Sequence, residues 1–271
     1  MRRAEPPIPT WLRIAGQAAR VGYVDYTSIM TLRIWLSGMF LRMLAQVSFF
    51  ALIGKLLGSQ RQVTFLLVGN AVSLASMMSL VTIASTTWER RQGTLPLIVS
   101  SPTSPGLVFI ARSVHWVAEG WVSAVGALVV TSLAFGLRLP LDGMLWALPL
   151  IALVGASTYL FGCCLAALVL EVMDLRNVVS NVVYVVMVAA CGVVVPVSTL
   201  PVAVRVVAEA LPLTHGLAAI HMVLDGRSIG TALPQIAAEV AIGAGWLLLA
   251  VGAFALFVER GRRRGTIELS T

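Results

Sequence analysis

The stretch MLWALPLIALVGASTYLFGCCLAALVL, residues 144–170, carries no charged side chain over 27 positions. A helix rising 1.5 Å per residue needs about 20 mostly apolar residues to cross a hydrocarbon core of about 30 Å. This segment meets that requirement with room to spare. It is also too long and too evenly apolar for one helix of a water-soluble core, whose outer face would carry charge. The rest of the chain agrees. Of 271 residues, 58% are hydrophobic and 11% charged, and the mean hydropathy is +0.92. A soluble domain carries about 25% charged residues, so lipid is the solvent for most of this surface.

Working outward, five further runs have the same character, at 32–57, 65–88, 107–137, 178–195 and 233–258. The sequence therefore predicts an all-α integral membrane protein of six transmembrane helices in one domain, 1–271, divided into a leader (1–31), the six-span region (32–258) and a basic tail (259–271). In the leader, Trp11, Ile14, Ala18 and Val21 recur at three- and four-residue steps, while Arg13, Gln17 and Arg20 fall elsewhere. That pattern describes a helix lying in the membrane interface. The first thirty residues lack the uninterrupted apolar core of a secretory signal.

The net charge is +7, and its distribution gives orientation. Arg2, Arg3, Arg13, Arg20, Arg90, Arg91, Arg112, Arg176, Arg260, Arg262, Arg263 and Arg264 fall on one side; Lys55, Arg61, Arg138, Arg205 and Arg227 fall on the other. The richer side is cytoplasmic, so both termini are expected there. Short basic clusters between apolar runs are topology signals and form no basic face for nucleic acid. Cys163, Cys164 and Cys191 all lie in apolar runs and read as buried small hydrophobes.

Residues 196–229 are too long for a plain outer loop and hold two apolar pieces split at Pro212, each too short to span. They are expected to form half-helices that enter from the outer side or lie at its interface, capping an exit. Ionisable residues inside spans mark candidate functional positions because burying charge in lipid is costly. Arg42 lies in the first span, and Arg112, His115 and Glu119 share one face of the third. Glu119 is expected to pair with Arg42 or His115, either on a translocation path or as an interhelical or dimer lock. Glu239 is a further intramembrane acid. His215 and His221 read as outer-surface groups, and Trp11, Trp35, Trp88, Trp116, Trp121, Trp146 and Trp246 as interface anchors. Gly155, Ala156, Gly162, Ala166 and Ala167 permit close helix packing within or between subunits.

The loop TWERRQGTLPLIVSSP, residues 87–102, is the sharpest motif. Charge leaves the membrane at Glu89 and Arg90, Gly93 permits a turn, and Thr94 caps a short apolar helix that includes Leu95, Leu97 and Ile98. On the residues alone, that helix either docks on a partner or tucks against headgroups. The segment resembles the coupling loop of ABC-2 type permeases through Glu89, Arg90, Gly93, Thr94, Leu95, Leu97, Ser101 and Pro102, with Pro96 where that family usually has glutamate. The resemblance extends to the layout: interfacial helix, six spans, and a broken outer segment before the last.

That resemblance implies a permease of an ATP-binding cassette exporter in a bacterial cytoplasmic membrane. Its coupling residues would be Glu89, Arg90, Gly93, Thr94, Leu95, Leu97 and Ile98. The implied partners are two copies of an ATP-binding subunit, a second permease chain as homodimer or heterodimer, and lipid. ATP and magnesium would be held by the partner subunit. Within this chain no phosphate loop occurs, since Gly54-Lys55 is followed by Leu56, and no cofactor or catalytic set is expected. An amphipathic or lipid-like cargo suits so apolar a chain. The alternatives are an ion-coupled secondary transporter, which would rely on Glu119 and Glu239, and an intramembrane transferase. The latter lacks clustered acids, because Asp142, Asp174 and Asp225 lie in three separate loops.

Overall fold

In lipid, every backbone N–H and C=O must be paired within the protein, so apolar runs of this length form helices. The computed structural model describes residues 9–85, 105–169 and 175–264, and every regular element among them is helical. Helix α1 spans Thr10–Ile29 and α2 spans Leu32–Leu56, with a π-helical segment at Trp35–Phe40. Helix α3, Gln60–Ser79, continues after a turn to Ser85. Helices α4, Pro105–Arg112, and α5, His115–Ala134, form one span broken at Ser113 and Val114. Then follow α6, Leu141–Val169; α7, Arg176–Ala190; α8, Val202–Ala210; α9, Thr214–Leu224; and α10, Ile229–Arg264.

The core is built on α3, which is buried continuously from 66 to 76. Around it pack α2, α5 and α6, and α10 closes against α6. The small residues of α6 act within the chain. Gly155 faces Ser79 and Ala75 of α3, and a Cβ on Gly162 would press into the Thr82 methyl at 2.8 Å. Further along α6, Cys163, Cys164 and Ala167 pack with Ala250 and Phe254 of α10. The three cysteines are free and buried.

Among the described residues, five helical spans are long and apolar enough to cross a membrane, and the fifth predicted span differs from them. It ends at Ala190 rather than at 195, leaving α7 with 15 residues, or about 22 Å of helix. Gly192, with φ 86°, takes a backbone conformation that favours glycine and breaks the helix. The irregular chain from Cys191 then carries on to Pro196, which lines one cavity with Leu57, Gln60 and Leu139. These belong to the connections between α2 and α3 and between α5 and α6. The stretch therefore reaches the same end of the bundle, and α7 with its continuation makes the fifth crossing.

The 196–229 segment forms a bent pair. Helices α8 and α9 meet at 89° over a break at 211–213. Helix α9 runs alongside α6: Gly143 of α6 abuts Val223, while Gly216 abuts Val154. The start of α9 is thus deep and its end shallow. Helix α8 is amphipathic, with Val202, Val206 and Val207 exposed and Ala208 buried.

Candidate functional site

The segment expected from the sequence to couple to an ATP-binding subunit, with Glu89, Arg90, Gly93, Thr94, Leu95, Leu97 and Ile98, lies outside the described residues. Its attachments do not. On one side, Ser85 at the end of the α3 span accepts a hydrogen bond from Trp116 Nε1 at 3.2 Å. On the other, Gly106 sits against Phe254, where an added Cβ would approach the phenylalanine Cβ to 3.2 Å.

Around Trp116 a polar and aromatic node joins four elements. Tyr26 of α1 meets the Trp116 ring edge-on at 5.2 Å and the His115 ring at 5.1 Å. Glu119, one turn further along α5, accepts a hydrogen bond from Trp35 Nε1 in the π-helical segment of α2. Trp35 in turn stacks on Phe40 at 4.9 Å. Burial first, and the Glu119 carboxylate second, hold the Tyr26 phenol well above its usual pKa. A π-helical turn re-aims side chains and is frequent at functional sites; here it turns Trp35 towards Glu119.

Beside this node Arg112 pairs with Asp25 of α1 at 2.6 Å, and Gly22 brings α1 against the Arg112 carbonyl so closely that a Cβ would collide with it. Behind it lies a buried hydroxyl relay. Thr82 Oγ1 donates to Ser113 Oγ at 2.9 Å, and Ser113 Oγ lies 2.8 Å from the Tyr159 hydroxyl. These bonds tie α3, the break between α4 and α5, and α6 together.

A second node sits beside the middle of α6. Glu239 of α10 is fully buried. Its carboxyl accepts the N–H of Leu213 at 3.0 Å, the N–H of Gly216 at 2.9 Å and the Ser157 hydroxyl of α6. The first N–H groups of a helix have no partner inside it, so Glu239 caps α9 from another helix. The carbonyls ending α8 are covered as well: Trp246 Nε1 donates to the Ala210 carbonyl at 3.2 Å, and Thr214 Oγ1 to that of Ala208 at 2.6 Å. Leu213 holds φ 85°, unusual for a residue with a side chain, and is fully buried. Non-helical backbone at this depth is tolerated because protein groups satisfy it.

A family model for the ABC-2 type transporter matches residues 23–224, from within α1 to the end of α9. The chain belongs to the ABC-2 type transporter family. A search of curated proteins gave no match.

Within this ABC-2 permease the charged residues singled out from sequence are only partly brought together. Arg112, His115 and Glu119 do share one region, and the His115 Nδ1 lies 3.2 Å from the Arg112 carbonyl. Glu119 pairs with neither Arg42 nor His115; its partner is Trp35. Arg42 is exposed on α2. Four tryptophans expected at the interface, Trp35, Trp116, Trp121 and Trp246, instead donate to other parts of the chain, Trp121 to the Leu148 carbonyl at 2.8 Å. Trp11 and Trp146 stay exposed. The histidines are not loose surface groups either. His221 stacks on Phe65 at 4.6 Å, and His215 Nδ1 meets Gln235 Oε1 at 2.6 Å. The cap made by Glu239 was invisible in the sequence beyond the bare fact of an acid inside a span.

Proposed function

We propose that this ABC-2 permease is the membrane half of an exporter. Two copies of a separate ATP-binding subunit would dock on the 87–102 segment and drive an amphipathic or lipid-like substrate outward. The observation that carries the reading is the placement of that segment's attachment points. Ser85, bonded to Trp116, makes its start part of the node that joins α1, α2, α3 and α5. A displacement imposed on the segment by nucleotide binding is thereby delivered to three spans and to the interfacial helix at once. The driving force is the differential affinity of the partner for nucleotide in two arrangements of the permease.

The apolar faces of α2 and α7 support a paired permease. Leu41, Phe49 and Leu52 on α2 and Val178, Val182 and Val185 on α7 are exposed. They suit lipid or a second permease chain, which completes the usual twofold arrangement. The bent pair α8 and α9 serves as the outer lid. The arginine-rich side, with both termini, faces the cytoplasm of a bacterial cell membrane.

Inside-out vesicles carrying the chain with its ATP-binding partner test the reading. ATP-dependent accumulation of a nitrobenzoxadiazole-labelled lipid, blocked by vanadate, is expected. Accumulation that needs no nucleotide and collapses with a proton ionophore would replace the reading with ion-coupled transport.

A further inference from the structure

At the end of the bundle opposite the 87–102 segment lies a cavity of about 940 Å³, within the size range that holds small ligands. Four connections enclose it: the turn from α2 to α3, the stretch from α5 to α6, the irregular chain after α7, and the end of α9. Phe65, Leu66, Leu137, Val194 and Leu224 give it apolar walls. The Phe65 ring is held in place by His221, stacked at 4.6 Å with the planes 11° apart.

Arg61 and Arg138 line the same cavity, and so does Asp225. Among the described residues neither guanidinium forms an ion pair or a side-chain hydrogen bond, and the Asp225 carboxylate makes neither. Single arginines at the ends of spans are ordinary, since they reach for headgroups and water. Two on one cavity, both without a partner and both over an apolar wall, are a different arrangement. A guanidinium presents a planar fork of donors suited to phosphate oxygens. With one carboxylate opposing two guanidiniums, the lining carries a net charge of +1, which matches the single negative charge of a phosphodiester. The apolar walls suit the first part of an acyl chain.

We propose that this cavity binds the phosphodiester headgroup of an amphiphile. Its phosphate oxygens would lie on Arg61 and Arg138, its chain against Phe65 and Val194, and a headgroup hydroxyl or ammonium on Asp225. The site stands apart from the coupling segment and does not depend on the exporter reading: its failure would leave docking of the ATP-binding subunit untouched.

The test uses the full chain in neutral detergent, with native mass spectrometry reading one-to-one binding. The probes are dihexanoylphosphatidylglycerol, dihexanoylglycerol and glycerol 3-phosphate. Saturable binding of the phosphatidylglycerol is expected, at least about tenfold tighter than either of the other two. Arg61→Gln and Arg138→Gln should each weaken it about tenfold, and the double variant should abolish it. Unchanged binding by the double variant overturns the proposal. So does glycerol 3-phosphate binding as tightly as the lipid, which would indicate a site for free anions, or dihexanoylglycerol doing so, which would indicate an apolar slot. The probe comparison on the unaltered chain decides the matter even where a variant folds poorly.

Discussion

Glu239 of α10 accepts the backbone N–H of Gly216 of α9 at 2.9 Å, beside the middle of α6. With the Leu213 N–H and the Ser157 hydroxyl on the same carboxyl, one side chain joins α10, α6 and the start of α9. Any transition that moves α9 must break or carry this joint.

Removing the acceptor strands buried donors. Each buried N–H left unsatisfied costs roughly 1–3 kcal/mol, so Glu239→Ala is expected to lower unfolding stability by about 2–4 kcal/mol. Glu239→Gln, which keeps an acceptor oxygen, should lose less. Thermal unfolding in detergent reads both. Equal, negligible losses would show that Glu239 does not hold the start of α9.

Packing at the same joint makes a second prediction. A Cβ on Gly216 would collide with Val154 Cγ2 and come within 3.3 Å of the Glu239 carboxyl carbon. Gly216→Ala should therefore destabilise by about 1–3 kcal/mol, the usual cost of overpacking. Adding Val154→Ala should recover part of that loss, because it removes the opposing methyl. A double variant worse than the sum of the two singles would contradict this geometry.

What the sequence made legible follows a physical division. Residues 144–170 announce a span because lipid excludes charge, and that property is local. The leader announces a helix through the spacing of Trp11, Ile14, Ala18 and Val21, which is local too. The split at Pro212 pointed to a broken segment. The nodes were hidden because their partners are distant in sequence: Trp35 and Glu119 are 84 residues apart, and Ser157 and Glu239 are 82 apart. The short α7 was hidden for another reason. Apolar residues continue to Val195, and only Gly192 signals the break.

The bond between Trp35 and Glu119 predicts a structural role for both. Trp35→Phe and Glu119→Ala should each cost roughly 1–3 kcal/mol of stability, and the double variant should cost little more than one single variant, since both remove one interaction. ATPase activity of the assembled complex should persist. Additive losses would mean the two side chains act independently, and lost transport with intact assembly would place Glu119 on the translocation path.

Helix α1 is held by close backbone approach more than by charge. The ion pair of Asp25 with Arg112 joins side chains 57% and 22% exposed, and pairs this open to solvent contribute less than about 1 kcal/mol. Asp25→Asn should accordingly change little. Gly22→Val, which drives a side chain into the Arg112 carbonyl, should release α1 and speed proteolytic cleavage within it. Faster cleavage in Asp25→Asn than in Gly22→Val would reverse the assignment.

The most direct test of the permease reading is co-purification of the full chain with a co-expressed ATP-binding subunit, with and without replacement of residues 93–99 by a polar linker. The unaltered chain is expected to retain the subunit and its ATPase activity, and the linker variant, still folded as a discrete species, to lose both. Retention of the subunit by the linker variant, or a folded unaltered chain that captures none, would contradict the account.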